Sequence, residues 1–487
     1  MKLSLFKAAL LVTVILTTTA FAQEQGLTFN FFGGGARSEG MGQAFLAISN
    51  DGSAGGWNPA GLNVHEKTLM AFSYGFLMPR GKYTFYESSM LSRSYAHSGD
   101  FGALNDLSII TPMRIKNHHV VLNLSYTRNF DAYYKFAERL VMPYLYFRAS
   151  EGGFVYLPFR LGSNDTLPNT QYERHGGINS INFAFGTRLY DKLSLGMSAN
   201  IYTGTVVTKE QRNLGMDIQY LGFTYSAHSG IDLIDSTKYS GFNATIGMLY
   251  VAEGLRAGLV VKTPFNLVGE SDSSLYRTTT LNNVADPNYT DTVYIDNMSS
   301  KIESPLIVGA GLGYNASENL LLSADLEFRN FSNKVVKNLD SILLTAGGEK
   351  LEFYHDTDPH WSNVIQFRLG AEYLFHSSIG TIPLRAGFRN EAFPFGNISN
   401  YGVIYQGEKG AAGNDSSRVS YAFQYNRGCK VTGVSFALGT GIQWSQIILD
   451  MAYTYTTYEQ KISKDSVLRA KNKWNNHHLN FTFTGYF

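Results

Sequence analysis

Charged side chains recur at alternate positions in three stretches of the C-terminal half of the chain. An arginine guanidinium can hold a carboxylate through two parallel hydrogen bonds, so Arg368, Arg385 and Arg389 are candidate ligand-binding residues. Carboxylates share the same faces, which favours the alternative that these residues form cross-strand ion pairs bracing the structure. The full set is Asp325, Glu327 and Arg329, then Arg368 and Glu372, then Arg385, Arg389 and Glu391.

Other kinds of chemistry have little support in the sequence. The pairs His118-His119 and His477-His478 do not supply the three or four convergent ligands of a zinc site, and Cys429 is the only cysteine. No G-x-S-x-G turn is present to hold a serine nucleophile. The net charge of +1, without a basic patch, disfavours nucleic acid as a partner. We expect no enzyme, no catalytic residue, no metal site and no cofactor.

The N-terminus has the features of a secretory signal. An apolar run, Ala8–Thr17, is followed by the small-x-small site Ala20-Phe21-Ala22, so residues 1–22 are expected to be removed before Gln23. Beyond the signal, no run approaches the ~20 apolar residues of a membrane helix. Aromatic residues make up 14% of the chain and charged residues only 16%. An exported chain with so much amphipathic surface can still span a membrane as a closed β-barrel.

Period-two alternation over about ten residues is the pattern of a membrane β-strand, with apolar side chains toward lipid and small or polar ones toward the lumen. In Leu193–Tyr202, aliphatic residues alternate with serine, glycine, asparagine and tyrosine. The pattern predicts an all-β antiparallel barrel of about 14 strands, and it turns the charged residues above toward the lumen. The predicted strands are Lys67–Leu77, Asp106–Ile115, His118–Asp131, Ile178–Tyr190, Leu193–Glu210, Tyr239–Val251, Leu255–Val268, Ser304–Tyr314, Asn319–Phe331, Asn363–Phe375, Ile382–Pro394, Val431–Trp444, Ser445–Ile462 and Asn475–Phe487.

Short and long connections alternate along this series, as expected for short periplasmic turns and longer external loops. The alternation places both mature termini on the periplasmic side. Within the longest loop, Phe136–Phe147 is apolar and is expected either to receive hydrophobic ligands or to fold into the barrel mouth. The predicted long, polar loops are Ala132–Gly177, Gln211–Lys238, Gly269–Pro305, Ser332–Ser362 and Phe395–Lys430.

The segment Gly33–Leu62 is rich in glycine and does not have a strand pattern. Glycines allow a backbone to turn tightly and to approach a wall closely, and Asn58-Pro59 is a turn-forming dipeptide. A flexible periplasmic tail is the alternative to a packed plug, but a solvated tail has no reason to retain Phe45 or Trp57. We expect this segment to fold inside the lumen.

The same segment carries a family resemblance. Gly40-Met41-Gly42 and Asn58-Pro59-Ala60-Gly61-Leu62 resemble the N-terminal hatch of the FadL/TodX outer-membrane transporters, in a Bacteroidetes-like form, and Leu384–Phe388 resembles a late strand motif of that family. The resemblance implies a hatch motif of Gly40, Gly42, Asn58, Pro59 and Ala60. It also implies a division into a signal (1–22), a hatch (23–66) and an outer-membrane barrel (67–487).

The resemblance implies passive, ligand-gated uptake of hydrophobic compounds, such as long-chain fatty acids or aromatic hydrocarbons, across the outer membrane of a Gram-negative bacterium. The alternative is a type IX secretion-associated barrel that binds protein cargo, which the polar external loops favour. The C-terminal Phe487, after outward Leu479, Phe481 and Phe483, resembles the signature read by the barrel-assembly machinery. The expected partners are therefore outer-membrane lipid and lipopolysaccharide, a hydrophobic small molecule, the barrel-assembly machinery and secretion-system proteins.

Overall fold

The protein forms a closed antiparallel transmembrane β-barrel of 14 strands, as the alternation predicts. The computed structural model describes residues 29–86, 92–116, 118–138, 147–148, 154–155, 159–161, 170–220, 223–281, 288–344, 350–357, 359–407, 419–464 and 467–487. The predicted signal and most of Phe136–Phe147 lie outside the described residues.

In the described residues, three short helices precede the strands: α1 (Ala36–Gly40), α2 (Ala54–Trp57) and a 3-10 helix (Pro59–Val64). None of the described helices is long and apolar enough to cross a membrane. The strands are β1 (Leu69–Tyr86), β2 (Ser92–Ser98), β3 (Phe101–Ile115), β4 (His118–Asp131), β5 (Tyr134–Glu138), β6 (Phe147–Arg148), β7 (Phe154–Val155), β8 (Phe159–Leu161), β9 (Thr170–Tyr190), β10 (Leu193–Tyr220), β11 (Phe223–Ala252), β12 (Leu255–Lys262), β13 (Phe265–Leu281), β14 (Asn288–Ser304), β15 (Ile307–Asn315), β16 (Leu320–Arg329), β17 (Val336–Leu344), β18 (Lys350–Thr357), β19 (Val364–Ser377), β20 (Gly380–Gly407), β21 (Val419–Trp444), β22 (Ile447–Lys464) and β23 (Val467–Tyr486).

Each wall strand pairs with its neighbours in sequence, and β23 pairs with β1 from Tyr486–Leu69 to Ala470–Phe85 to close the barrel. Several wall strands are interrupted in the described residues: for example, β2 continues as β3, β12 as β13, and β14 as β15. Closure matters because a sheet edge in lipid would leave backbone groups without partners.

The two faces of the wall differ as the sequence predicts. In β10, Met197 and Ile201 are exposed on the outer surface, whereas Ser198 and Asn200 are buried inside. The outward face therefore suits lipid, and the inward face suits a polar or packed interior.

The predicted external loops are largely strands instead. The segment Gln211–Lys238 continues β10 and β11 as a hairpin that is paired from Leu193–Tyr250 to Tyr220–Phe223. The described parts of the other four segments likewise contain β5 to β9, β13 with β14, β17 with β18, and β20 with β21. The prediction of loops is wrong there because runs of polar residues, such as 209–213, interrupt the alternation although the backbone pairing continues.

Residues 29–66, called here the inner segment, lie within the barrel and supply nine of the 20 buried residues that form the main interior core of the described chain. Its buried apolar side chains pack against inward wall residues that include Tyr202, Val260, Ile307 and Val364. A solvated tail would not bury these groups. The buried side chains of the inner segment in this core are Phe29, Phe31, Phe32, Met41, Phe45, Leu46, Ala47, Ile48 and Trp57.

Candidate functional site

Glycines allow the backbone of the inner segment to lie directly against the wall. Gly42 has φ +63° and lies between β19 and β20, where a Cβ would come within 2.6 Å of Phe388 N and 2.8 Å of Leu369 O. Gly370 and Gly387 are cross-strand partners at this point, and a Cβ on Gly387 would meet the Gly42 backbone nitrogen. Both sides of the contact therefore require glycine.

We expect Gly42→Ala to displace the inner segment from the wall. Alanine at positive φ costs about 1 kcal/mol, and the new methyl group would also clash with wall backbone. Hydrogen exchange of residues 29–66, followed by mass spectrometry, should therefore accelerate. Gly254→Ala is the matched control, because Gly254 has φ +69° but its Cβ would come no closer than 3.8 Å to any neighbour. Equal exchange in the two variants would contradict the wall contact.

Asn58, Pro59 and Ala60 fix the last turn of the inner segment. Asn58 Oδ1 accepts a hydrogen bond from Ala60 N at 3.1 Å and caps the 3-10 helix, while Pro59 begins that helix, where no N–H is needed. Asn58 Nδ2 donates to Leu46 O at 2.9 Å and to Met248 O at 3.1 Å. One buried amide thus joins the helix, the rest of the inner segment and β11.

Arg385 lies in a buried ion-pair network that holds α1 against the wall. Arg37 of α1 donates from Nε and Nη2 to Glu372, both at 2.9 Å. Arg385 donates to Glu372 and to Asp450, both at 2.6 Å. Burial alone would lower the pKa of Arg37, but the Glu372 carboxylate raises it above its ordinary value. Gly40, at the end of α1, allows this approach, since its Cβ would lie 3.4 Å from the Arg385 side chain.

A second buried carboxylate, Asp325, fixes the following turn. Its Oδ2 accepts hydrogen bonds from Phe45 N at 2.7 Å and from Leu46 N at 2.9 Å. These two backbone donors have no helix or strand partner of their own, so the wall satisfies them. Asp325 thus stabilises the inner segment rather than facing a ligand.

Arg368 is 1% exposed and pairs with Glu327. Its guanidinium lies 5.4 Å from the ring of Phe32 and 5.9 Å from that of Trp57. Its Nε and Nη1 have no hydrogen-bond partner, and the aromatic faces take the place of one. Both Arg368 and Arg385 therefore lie between the wall and the inner segment. This position agrees with the alternative in which these arginines form ion pairs that brace the structure.

Lys262 of β12 was not among the residues predicted from the sequence, yet it binds the backbone of the inner segment at two points. Its Nζ donates to Phe31 O at 2.6 Å and to Gly56 O at 3.0 Å, and it lies 4.5 Å from the Phe32 ring. A lone lysine at an inward strand position was the available signal, since an ammonium group cannot remain in lipid.

A cavity of about 330 Å³ lies beside the inner segment and is lined by residues of β1, β3 to β5, β9, β16, β19, β20, β22 and β23. Arg389 lines it, unlike the other two predicted arginines. The ionisable lining residues are Arg128, Arg174, Arg329, Arg389 and His478, with Glu39, Asp131 and Glu391. The cavity therefore combines strong hydrogen-bond donors with acceptors, and one arginine is in excess over the carboxylates.

One side of the cavity carries a row of aromatic rings, called here the aromatic row: Tyr134, Trp474, Tyr458, Phe393 and Phe395. Successive ring centroids are 5.6, 6.1, 4.6 and 5.1 Å apart. Such rings offer a large apolar surface to a ligand. The site therefore suits a molecule with both an apolar and a polar part.

Sequence alternation missed two of the cavity arginines for physical reasons. Arg128 lies at an outward position of the alternation, but the β4–β9 register shifts directly after it, between Arg128 and Phe130, so the strand is locally distorted there. Arg174 falls in the segment predicted as an external loop, where no strand face was assigned. Neither position could be assigned to the lumen without the pairing.

Glu39 of α1 borders the cavity and contacts the last strand. Its Oε2 lies 2.9 Å from His478 Nδ1, and its Oε1 accepts from Asn480 at 3.1 Å. Burial alone would raise the pKa of the Glu39 carboxyl, but His478, and then Arg389, lower it more, so the net shift is downward. Among the described residues no group of three or more His, Cys, Asp or Glu could hold a metal ion.

The comparisons with known proteins come from a family model and from solved structures. The family model described as BamG matches residues 159–389. The Pseudomonas putida toluene transporter TodX superimposes with a TM-score of 0.56 at 12% identity, over 94% of this chain and 99% of that one. No curated protein sequence matches the chain.

Two further solved structures have similar values. The Ralstonia pickettii toluene transporter TbuX has a TM-score of 0.52 at 14% identity, covering 94% of this chain and 99% of that chain. A Pseudomonas aeruginosa FadL homologue has a TM-score of 0.52 at 13% identity, with coverage of 95% and 99%. At these identities the likeness is one of fold: a β-barrel that matches over 94–95% of this chain.

Proposed function

We propose that the protein is an outer-membrane channel for the passive uptake of hydrophobic compounds, and that the inner segment is its hatch. The observation that carries this proposal is the cavity, which has an aromatic row on one side and the inner segment on another. A simple water-filled pore needs neither feature. The fold shared with toluene transporters agrees with the proposal.

In this proposal, a hydrophobic ligand leaves the external medium for the aromatic row and rests against the inner segment. Long-chain fatty acids and aromatic hydrocarbons are the compounds expected from the resemblance. Passage beyond the cavity requires movement of the inner segment, because its core fills the barrel. Ligand binding favours this movement if the ligand binds the open arrangement better, and the concentration gradient of the ligand drives the net flux.

Uptake into proteoliposomes provides the direct test. Vesicles containing the purified protein should accumulate radiolabelled toluene or dodecanoate faster than protein-free vesicles, whereas labelled sucrose should enter at the same rate in both. The expected selectivity follows from the aromatic row and the closed interior. Equal entry of sucrose and hydrophobic compounds would indicate an open pore, and no added uptake of either would overturn the transport proposal.

A second candidate function has its own support. The BamG match covers residues 159–389, which include β9 to β19 and their extended external hairpins, and the name relates that family to the barrel-assembly machinery. Long paired hairpins offer edges and surfaces to another protein. A type IX secretion component that binds protein cargo is the related alternative. In-cell crosslinking followed by affinity purification tests both protein-binding roles. Recovery of a protein partner in stoichiometric amount would favour a role in barrel assembly or in secretion over transport.

A further inference from the structure

Arg174 differs from the other arginines of the cavity because it forms no ion pair with a carboxylate of the described residues. Arg128 pairs with Asp131, Arg329 with Glu327, and Arg389 with Glu391. In the described part of the chain, no carboxylate forms an ion pair with Arg174. Its Nε donates to Ala132 O at 3.1 Å.

The surroundings of Arg174 make this lack of an ion pair costly. The residue is only 9% exposed, and a buried charge without a partner is destabilising. Its guanidinium lies 5.9 Å from the Phe130 ring, a contact that offsets part of this cost. An anion entering the cavity would supply the missing partner.

The aromatic row begins next to Arg174. Tyr134 of β5 is directly opposite Arg174 of β9 in the antiparallel pairing, and directly opposite residues share a face of the sheet. From Tyr134 the rings continue to Trp474 and onward along the row. A cation and an apolar surface therefore lie side by side within one cavity.

We propose that Arg174 binds the acid group of an amphipathic anion whose apolar part lies along the aromatic row. This inference rests on the proposed uptake function and narrows its substrates from hydrophobic compounds in general to anionic amphiphiles. It assigns charge recognition to Arg174 rather than to Arg368 or Arg385, which are occupied by buried carboxylates. A planar guanidinium suits both carboxylate and phosphate oxygens.

Binding measurements with matched probes test the proposal. Purified full-length protein in a neutral maltoside detergent is titrated with dodecanoate, dodecyl phosphate and dodecanol, with calorimetry as the readout. Arg174→Gln should weaken dodecanoate binding roughly ten- to hundredfold, as expected for loss of a charge-assisted hydrogen bond, and leave dodecanol unchanged. If Arg174→Lys still binds dodecyl phosphate but not dodecanoate, phosphate is the preferred acid group. If it binds both acids as the wild type does, the site requires only a positive charge.

The matched control is Arg80→Gln, which removes an exposed arginine paired with Asp100 and should not alter binding of any probe. Equal losses for dodecanoate and dodecanol in Arg174→Gln, or no loss for either, would overturn the role of Arg174. Failure of the proposed function is a separate result: acid binding that depends on Arg174 without any uptake into vesicles would remove transport and retain the binding site.

Discussion

Removing the inner segment while keeping the signal, by deletion of residues 23–63, is expected to yield an assembled barrel with an open lumen. The wall closes through backbone pairing between β1 and β23, which does not involve the inner segment. The nine core side chains of the inner segment would be lost, and water would hydrate the inward Lys262, Asp325 and Arg385. Permeability to a small polar solute should rise roughly tenfold or more, since a wide barrel without a filled interior leaves an aqueous channel.

Single-channel conductance in planar bilayers measures this effect. Heat-modifiable electrophoretic mobility provides the control that the deleted protein still forms a barrel. Conductance that is unchanged in an assembled barrel would show that the inner segment does not obstruct the lumen, and the hatch would then have to be abandoned.

The second large effect is expected from Glu372→Gln. Glu372 accepts hydrogen bonds from both Arg37 and Arg385, so its neutralisation leaves two buried guanidinium groups to share Asp450. Breaking one partner of a buried pair typically costs about 3–5 kcal/mol. Because Arg37 belongs to the inner segment and Glu372 to the wall, the loss should appear as release of the inner segment. Hydrogen exchange of residues 29–66 should accelerate, and conductance should rise to a value between the wild type and the deletion.

A double-mutant cycle distinguishes this specific contact from general damage. Arg37→Met with Glu372→Gln should be less harmful than the sum of the single variants, because the unpaired charge on the inner segment is also removed. Asp100→Asn, which breaks an exposed pair with Arg80, should leave exchange and conductance unchanged. Additive effects of Arg37→Met and Glu372→Gln would mean that the ion pair does not hold the inner segment.

The sequence predicted the wall strands well where one face meets lipid, because alternation then has a clear apolar signal. In β10 the pattern from Leu193 to Glu210 was recognised, but the strand continues to Tyr220. Five consecutive polar residues, 209–213 (KEQRN), interrupt the alternation, so the end of the strand was placed before the alternation resumes at Leu214. The fourteen-strand count was right, and the strand ends on the side of the short turns lie within two residues of their predicted positions, whereas most ends at the long connections do not.

The candidate site was less predictable from sequence than the wall. Alternation correctly turned Arg368, Arg385 and Arg389 inward, but it could not determine which of them meets a carboxylate and which meets a cavity. That depends on how Glu327, Glu372 and the inner segment pack in three dimensions. A register shift such as the one directly after Arg128 distorts a strand locally with no hydrophobic signature.

The contacts of α1 with β23 have a consequence for the order in which the protein folds. Ala36 N donates to Thr482 Oγ1 at 2.8 Å, and Glu39 accepts from Asn480, so segments made first and last during synthesis meet across 446 and 441 residues. Contacts of such sequence separation form late. The inner segment cannot reach its final position until the C-terminal strand has joined the wall, and its docking would therefore mark the completion of assembly.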